Sequence, residues 1–493
     1  MEAALSLDEF RVRQVLPAKR NRHLANNRDE VDLSSPEAVR EWHASLGGPA
    51  AGAIGAVINF LNFAEPFAQP GTDQSASPLQ LAQWVLNVIK QLESDLRDSG
   101  RRGGGWLLNF TCLDGKFGLG GDGPLPVAQA ATIGMFKTIA KEWPEVWVEN
   151  IDIDPRMDPE MVFTQIADEI ASDHGLLEVG LSEGARWTVQ WADTPSDADQ
   201  LGPLPLDADS VVLITGGAYG IAAEAAKQLA REARPRLVLL GRSPLPGPEP
   251  PELEGLRDRA SLRKHLIATM RRENPSVVPA IIERAMDRVL KDRQIRANLA
   301  EIQQAGSAVE YHALDVRDGA KLAALIDGIY QKHGRLDGVI HAAGIIEDAL
   351  ISRKTPESFA NVFATKVESA IVLANVLRPE SLKFLVFFSS VAGRFGNAGQ
   401  IDYAAANEYL NKLAAHLDAQ WPGRVVAIDW GPWDAGMISE ELRRLYASRG
   451  ISLIPLDAGT RMFLNELRRR KDARPEVLIS CSLRAIEAAG RTQ

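Results

Sequence analysis

The hydrophobic and polar positions after residue 210 alternate between two patterns. Six short strand-like runs are separated by stretches with helical spacing of apolar residues, and the first run is β-branched, as is typical of a buried parallel strand. The runs are VVLIT (211–215), RLVLLG (236–241), VEYHALD (309–315), DGVIHAA (337–343), FLVFFS (384–389) and VVAIDW (425–430). This alternation predicts an α/β fold with a doubly wound parallel sheet, whose ligand site lies at the carboxyl ends of the strands.

The first half of the chain carries a copy of part of this pattern. FTCLDGKFGLGG (110–121) aligns without gaps on FSSVAGRFGNAG (388–399), and both segments lead into a helix that ends in Trp-Pro. AVINFLNFAE (56–65) resembles GVIHAAGIIE (338–347) in the same order. The repeat predicts two related Rossmann-like units. A chance similarity of glycine-rich loops is the alternative.

The two copies differ where chemistry would lie. Three positions of the second copy are replaced in the first, namely Ser390 by Cys112, Tyr403 by Leu125 and Asn407 by Gln129. The first half also lacks an obvious glycine-rich nucleotide loop. We therefore expect the first unit to be truncated and non-catalytic.

A linker separates the two predicted units. DTPSDADQLGPLPLDADS (193–210) is rich in proline and acids, as linkers often are. We place the boundary near residue 205, which gives a structural subdomain at 1–205 and a catalytic subdomain at 206–493.

A long charged stretch separates the second and third strands of the catalytic subdomain. It begins with a proline-rich turn at residue 244 and continues with helical apolar spacing, which Pro275 and Pro279 interrupt. The stretch is long for a connection between neighbouring strands. We interpret about 250–300 as a helical insertion of unknown role.

Composition excludes several classes of function. A net charge of −10 argues against a nucleic-acid-binding protein. Cys112 and Cys481 are the only cysteines, which is too few for a disulfide framework or a cysteine-rich metal site, so we expect a cytoplasmic setting and no metal. The first 15 residues lack the apolar core of a signal peptide, and the most apolar window, 51–64, is too short to span a bilayer.

A glycine-rich turn follows the first strand of the second half. Its residues are Thr215, Gly216, Gly217, Ala218, Tyr219, Gly220 and Ile221. Glycines let backbone N–H groups approach a phosphate, and the N-terminus of the following helix adds a favourable dipole. The turn predicts a dinucleotide site, with a plain tight turn as the alternative.

The second strand ends immediately before Arg242 and Ser243. NAD sites often carry an acid here for the ribose 2′-hydroxyl, whereas arginine and serine suit a 2′-phosphate. We expect NADP(H) to be preferred over NAD(H). A solvated surface arginine is the alternative.

Tyr403 is the candidate proton donor, and Asn407 follows it where many reductases have lysine. A free tyrosine has a pKa near ~10, and a nearby ammonium group would lower it. Asn407 shares a helix face with Tyr403 but carries no charge. Lys412 lies nine residues after Tyr403, on the opposite face, and cannot substitute.

Lys366 is the candidate for the missing cation. It lies inside the apolar stripe of a predicted helix at 357–377, where a lysine is costly unless it has a partner or a task. We interpret Lys366 as reaching the site from this helix, exchanged in position with Asn407. A lysine that snorkels at the edge of the stripe is the alternative. Ser390, at the end of the fifth strand, can hydrogen-bond a substrate carbonyl.

These motifs resemble the ketoreductase domains of polyketide and polyunsaturated fatty acid synthases, in the short-chain dehydrogenase/reductase superfamily. The resemblance rests on TGGAYGIA (215–222), LLGRSPLP (239–246), LDVRD (314–318), IHAAGIIED (340–348), FSSVAGRFGNAGQIDYAAAN (388–407) and DWGPW (429–433). Members of this family exchange lysine and asparagine as here, and carry a truncated N-terminal subdomain. Tyr219 and Ala222 stand where many relatives have glycines, so we expect the Tyr219 side chain to point away from the pyrophosphate.

The resemblance implies NADPH-dependent reduction of a 3-ketoacyl thioester. The substrate would be held on the phosphopantetheine arm of an acyl carrier protein, within a larger synthase. Further cofactor contacts are implied at Asp315, Val316, Ala342, Ala343, Gly344 and Pro432. A non-catalytic scaffold domain and a free-standing reductase of a small metabolite are the alternatives.

Two positions of the sequence beside the expected entry groove, a tripeptide and a single residue, concern stereochemistry. One class of synthase ketoreductase resembles Leu-Asp-Asp after the fourth strand, and the other carries tryptophan eight residues before the catalytic tyrosine. Here these positions hold Ile346-Glu347-Asp348 and Phe395. We therefore predict the (3R)-hydroxyacyl product. The alternative is that Glu347 and Asp348 are merely solvated loop acids.

Overall fold

The computed structural model describes most of the 493-residue chain. The described residues are 12–24, 27–46, 54–64, 67, 77–121, 123–172, 175–193, 201–434 and 440–488. Most of the N-terminal segment considered for a signal peptide, and residues 194–200 of the predicted linker, lie outside them.

Short strands recur along the whole described chain. They are β1 (Gln14–Pro17), β2 (Arg22–Leu24), β3 (Arg28–Val31), β4 (Ala56–Asn59), β5 (Trp106–Thr111), β6 (Trp147–Ile153), β7 (Glu178–Ser182), β8 (Ala185–Trp187), β9 (Val211–Thr215), β10 (Arg236–Gly241), β11 (Val309–Ala313), β12 (Gly338–His341), β13 (Phe384–Ser390), β14 (Arg424–Trp430) and β15 (Glu476–Ile479).

Helices connect most of these strands. They are α1 (Pro36–Ser45), α2 (Pro78–Arg101), α3 (Ala130–Glu142), α4 (Pro159–Ala171), α5 (Gly220–Glu232), α6 (Arg259–Glu273), α7 (Pro279–Gln304), α8 (Gly319–His333), α9 (Pro356–Val376), α10 (Val391–Phe395), α11 (Ile401–Gln420), α12 (Glu440–Ser448), α13 (Leu456–Arg468) and α14 (Leu483–Ala488).

The larger sheet has seven parallel strands in the order β11-β10-β9-β12-β13-β14-β15. Every residue of β9 and β14 is buried, because helices cover both faces of the sheet. The strand order reverses between β9 and β12, and a doubly wound sheet binds its ligand at such a point. The predicted fold class is confirmed, and β15 is a seventh strand that the sequence pattern missed.

A second, smaller sheet has the order β4-β5-β6-β7-β8, with β4 to β7 parallel and β8 antiparallel. Its parallel strands repeat the arrangement of β12 to β15, as the aligned loop sequences predicted. This unit is therefore Rossmann-like and truncated. A separate three-stranded sheet, β1-β3-β2, precedes it.

The two units share a hydrophobic core through α3 and α11. A Cβ atom added to Gly134 of α3 would lie 2.4 Å from the backbone oxygen of Ala404 in α11, so the two helix backbones touch there. At the linker's end, the backbone N–H of Gly202 donates to the oxygen of Arg468 at 2.9 Å, which attaches this segment to the larger unit. The boundary near residue 205 stays a prediction.

The insertion consists of α6 and α7, which pack against each other and are joined by the segment that contains Pro275. Arg293 of α7 anchors the preceding loop, since its guanidinium donates to Glu249 at 2.7 Å and to the oxygen of Leu256 at 2.8 Å. Among the described helices, α9 alone is long and apolar enough to cross a membrane, and 56% of its most apolar window is buried in the fold.

Candidate active site

Lys366 and Tyr403 meet near the carboxyl end of β13. The Lys366 side chain is buried in α9, and its Nζ atom donates to the oxygen of Phe388 at 2.7 Å. The same Nζ lies 5.5 Å from the centre of the Tyr403 ring. Lys412 instead pairs with Glu476 at 2.9 Å, away from this group. Lys366 is thus the lysine beside Tyr403, although its catalytic role stays a prediction.

Burial lowers the pKa of Lys366 to about 7, although the charge of Asp429 opposes the shift. Burial also raises the pKa of the half-buried Tyr403 above its ordinary value, and hydrogen bonds from Asn407 and Ser390 only partly oppose it. The lysine can therefore change its charge near neutral pH, while Tyr403 keeps its proton until a substrate takes it.

Ser390 and Asn407 complete the group predicted from the sequence. Ser390 caps α10, and its Oγ accepts from the backbone N–H of Ala392 at 3.2 Å, which leaves the hydroxyl proton free to donate. The Nδ2 of Asn407 donates to the backbone oxygen of Tyr403 at 2.7 Å. Its Oδ1 is buried and accepts no hydrogen bond from the described residues, so it can accept one from water.

His341 is a member of this region that sequence reasoning missed. It is fully buried at the end of β12, with Nε2 2.9 Å from the backbone oxygen of Lys366 and Nδ1 2.9 Å from the Thr215 hydroxyl. Because a carbonyl only accepts, Nε2 carries the proton and Nδ1 accepts from Thr215. Burial, aided by Lys366, lowers the pKa of His341 to about 3 and keeps it neutral. The sole sequence signal was its place in IHAAG.

The glycine-rich turn fits a dinucleotide phosphate. Gly216 and Gly220 have φ of 72° and 63°, and a Cβ on Gly217 would lie 2.8 Å from that of Ile214. The turn opens into the 13-residue α5, whose first N–H groups face the carboxyl edge of the sheet. Ala218 is buried beneath the turn, and Ile221 is partly buried at the start of α5.

The loop after β12 lies against this turn. The backbone N–H groups of Ala342 and Ala343 each donate to the Thr215 hydroxyl at 3.1 Å. A Cβ on Gly344 would lie 3.0 Å from the Cε of Lys366, which brings this loop to the lysine as well. The two loops and the Lys366 side chain therefore form one continuous edge.

The remaining predicted cofactor residues lie at other strand ends. Arg242 is exposed after β10, where Ser243 accepts through its backbone oxygen from the Tyr311 hydroxyl at 2.6 Å. Asp315 is held by Arg317 at 2.7 Å, and this contact, with a smaller contribution from Arg242, lowers its pKa. Buried Val316 and partly buried Pro432 follow β11 and β14, respectively.

The three substrate-orienting candidates separate in the structure. Asp348 accepts from the side chain of Gln400 at 3.0 Å and lies close enough to Tyr403 to help raise its pKa. Glu347 is exposed and raises the pKa of Arg317 instead, after the larger effect of Asp315. Phe395 is half-buried at the end of α10. Asp348 is thus the acid near the tyrosine.

The equivalent place in the first subdomain is arranged differently. Gln129 is the counterpart of Asn407 in the second copy. It accepts from the backbone N–H of Cys112 at 2.7 Å. Burial, with Asp152 and Asp154, raises the pKa of the Cys112 thiol to about 11, so it is not an activated nucleophile.

A family model described as the KR domain matches residues 210–435. The chain contains a ketoreductase domain of the polyketide synthase type. This domain is of the oxidoreductase class and has the Rossmann fold described above. The match spans the glycine-rich turn, the insertion and all four candidate catalytic residues.

Curated relatives extend the likeness into the first subdomain. The chain is 32% identical over 397 residues to a subunit of the polyunsaturated fatty acid synthase of Thraustochytrium sp., covering 78% of this chain and 14% of that protein. It is 30% identical over 351 residues to 6-methylsalicylic acid synthase of Aspergillus terreus, covering 69% and 17%. The chain thus spans less than a fifth of either relative.

Solved structures share the fold of both subdomains. An N-terminal ketoreductase from the macrolactin assembly line is 20% identical, with a TM-score of 0.67, and the match covers 96% of this chain and 82% of that one. A ketoreductase from the first module of phoslactomycin biosynthesis in Streptomyces sp. HK803 is 25% identical, with a TM-score of 0.61 and coverage of 80% and 79%.

Proposed function

We propose that this chain reduces a 3-ketoacyl thioester, carried by an acyl carrier protein, to the 3-hydroxyacyl thioester with NADPH. The observation that carries the proposal is the convergence of Lys366, Tyr403 and Ser390 beside the glycine-rich turn. A non-catalytic scaffold would not need to keep a buried lysine in place there, since burying it costs free energy. The bound nicotinamide supplies the hydride that reaches the ketone carbon.

The chain's own residues would handle the oxygen and its proton. The Ser390 and Tyr403 hydroxyls donate to the ketone oxygen, which stabilises negative charge as it develops there. Tyr403 then gives its proton to that oxygen, which completes the alcohol. The unpartnered Oδ1 of Asn407 would accept from a water that relays a proton from solvent to Tyr403, and Lys366 would stabilise the transient phenolate.

The choice of NADPH is supported by the strand ends that a dinucleotide ribose would meet. The cationic Arg242 and the hydroxyl of Ser243 follow β10, where an NAD site often has an acid. Asp315 follows β11 rather than β10, and its charge is already paired with Arg317 at 2.7 Å. NADH should therefore bind less tightly.

The carrier and the rest of a synthase are the proposed partners. The relatives are multidomain synthases, and the chain covers a small share of each. We expect a cytoplasmic setting for such an assembly. Asp348, held by Gln400 near Tyr403, supports a substrate path over the loop after β12 and the (3R) product.

The decisive experiment is turnover of a 3-oxoacyl thioester on an acyl carrier protein. NADPH consumption would be followed by absorbance, and the product would be hydrolysed and resolved by chiral chromatography. Predominant (3R)-hydroxy acid supports the proposal in full, whereas (3S) product would overturn the stereochemical part alone. Cofactor binding without turnover would favour a scaffold, and turnover of only small free ketones would favour a free-standing reductase.

A further inference from the structure

The helical insertion contacts the proposed cofactor site directly. Asn298 of α7 is buried, and its Nδ2 donates to the backbone oxygen of Ala218 in the glycine-rich turn at 3.0 Å. This side-chain hydrogen bond fixes α7 against the turn. The insertion is therefore a wall of the nucleotide-binding edge rather than a detached surface feature.

Lys291 lies two helical turns before Asn298, on the same face of α7. Its Nζ donates to the Ser243 hydroxyl at 3.4 Å and lies 5.7 Å from the centre of the Tyr219 ring. A cation at this distance from an aromatic ring is attracted to its face. One side chain of the insertion thus bridges the glycine-rich turn and the end of β10.

The charge of Lys291 is not neutralised by an ion pair with any described residue. Asp287, which raises the pKa of Tyr219 after the larger effect of burial, is itself paired with Arg259 at 3.0 Å. Asp292, the next residue along α7, acts instead on Tyr311, whose pKa it raises after the larger effect of burial. Lys291 is only partly exposed, and its ammonium group has donors beyond the one that Ser243 accepts, so it can also donate to a bound anion.

The place of this cation matches one part of NADPH. In a Rossmann fold, the adenosine ribose meets the residue at the end of the second strand, which is where Ser243 lies. A 2′-phosphate carries nearly two negative charges and three acceptor oxygens, and more than one donor can bind it. Arg242 is on the same short segment as Ser243, and Lys291 approaches this segment from the insertion.

We propose that Lys291 is a second cation of the 2′-phosphate site, so that the insertion helps to select NADPH over NADH. The inference rests on the proposed use of NADPH. It gives the insertion a role in cofactor specificity, through a residue far along the chain from the β10 loop. It also explains Tyr219, whose ring holds the lysine stem in place instead of meeting the pyrophosphate.

Binding measured by calorimetric titration would test this without any turnover. The full chain and its Lys291→Met variant would be titrated with NADPH, NADH, adenosine 2′,5′-bisphosphate and 5′-AMP. We expect Lys291→Met to weaken NADPH and the bisphosphate by about 10-fold or more, as loss of a charge-assisted hydrogen bond does. NADH and 5′-AMP should change by less than about 2-fold, because they lack the phosphate that Lys291 binds.

The matched control is Lys264→Met, which removes the same charge from an exposed position of α6. It should leave all four affinities unchanged, and Lys291→Arg should keep most of the NADPH affinity. Equal losses for NADPH and NADH, or no loss for either, would overturn the role of Lys291 while the reductase proposal stands. If the unmodified chain binds neither nicotinamide, the proposed function itself fails.

Discussion

His341 and Lys366 are joined by a hydrogen bond of 2.9 Å, from the histidine Nε2 to the lysine backbone oxygen. Through its other nitrogen, His341 also accepts from Thr215, which begins the glycine-rich turn. A neutral imidazole thus connects the proposed cofactor loop to the helix that carries the buried lysine. The position of Lys366 depends on this connection as well as on α9.

Replacing His341 should destabilise the fold and displace Lys366. A His341→Leu variant removes the imidazole's hydrogen bonds to the Lys366 carbonyl and the Thr215 hydroxyl, and leaves the buried hydroxyl proton without its acceptor. This loss should cost about 1–3 kcal/mol. Urea unfolding would measure the loss, with His312→Leu as a control because the His312 side chain is 39% exposed. Equal stability of the two variants would contradict the network.

Removing the Tyr403 hydroxyl should nearly abolish turnover. Tyr403→Phe deletes the proposed proton donor and should lower kcat by at least about 100-fold. The control is Tyr330→Phe, which removes a hydroxyl of α8 that accepts from the Arg378 backbone N–H and has no proposed role in the reaction. Near-normal kcat in Tyr403→Phe, with circular dichroism unchanged, would exclude Tyr403 as the donor.

Lys366 should give the stability of the fold a characteristic dependence on pH. Its pKa is lowered to about 7 by burial, from 10.5 in the unfolded chain, so the folded state disfavours its charged form. The resulting penalty is full below about pH 7 and fades as pH rises towards 10.5. Replacing Lys366 removes this penalty.

A Lys366→Met variant should therefore gain stability relative to the unmodified chain more at pH 6 than at pH 9.5. The pH-independent loss of the hydrogen bond to Phe388 cancels when the two pH values are compared. Melting temperatures across this range would measure the difference, and Lys264→Met gives the baseline for an exposed lysine. A difference that does not change with pH would mean that Lys366 is not held in a desolvated state.

The parts of this fold that were predictable are those dictated by local pattern. β9 and β10 match their predicted bounds because each is a short, nearly uninterrupted apolar run in an alternating α/β sequence. β15 is a four-residue strand among charged residues, and its pairing with β14 is a non-local choice. The three-stranded N-terminal sheet was missed for the same reason.

The residues of the candidate site also differ in whether local sequence pattern reveals them. Lys366 was found because a lysine in an apolar stripe is anomalous within one helix. His341 gave no such signal, since its role comes from partners 126 and 25 residues away. The insertion was recognisable as helical, with interruptions at Pro275 and Pro279, but the approach of Lys291 to Ser243 depends on how α7 packs on the sheet.

The contact between the two subdomains leads to a last prediction, because Gly134 of α3 packs against the part of α11 that carries Tyr403. A Cβ on Gly134 would lie 2.4 Å from the oxygen of Ala404 and 2.9 Å from the Cα of Ala405, both backbone atoms of α11. Neither can yield as the end of a flexible side chain could. A Gly134→Ala variant must push α11 away from α3, and Tyr403 is the residue next to Ala404.

We therefore expect Gly134→Ala to destabilise the fold by about 1–3 kcal/mol, as overpacking does. It should also lower kcat, although residue 134 lies in the first subdomain. Gly328→Ala is the matched control, because its added Cβ meets open space on α8, where alanine should stabilise the helix by up to about 1 kcal/mol. Urea unfolding and turnover of the same preparations would separate the two substitutions. A Gly134→Ala variant as stable and active as Gly328→Ala would mean that the truncated subdomain does not fix the helix that carries Tyr403.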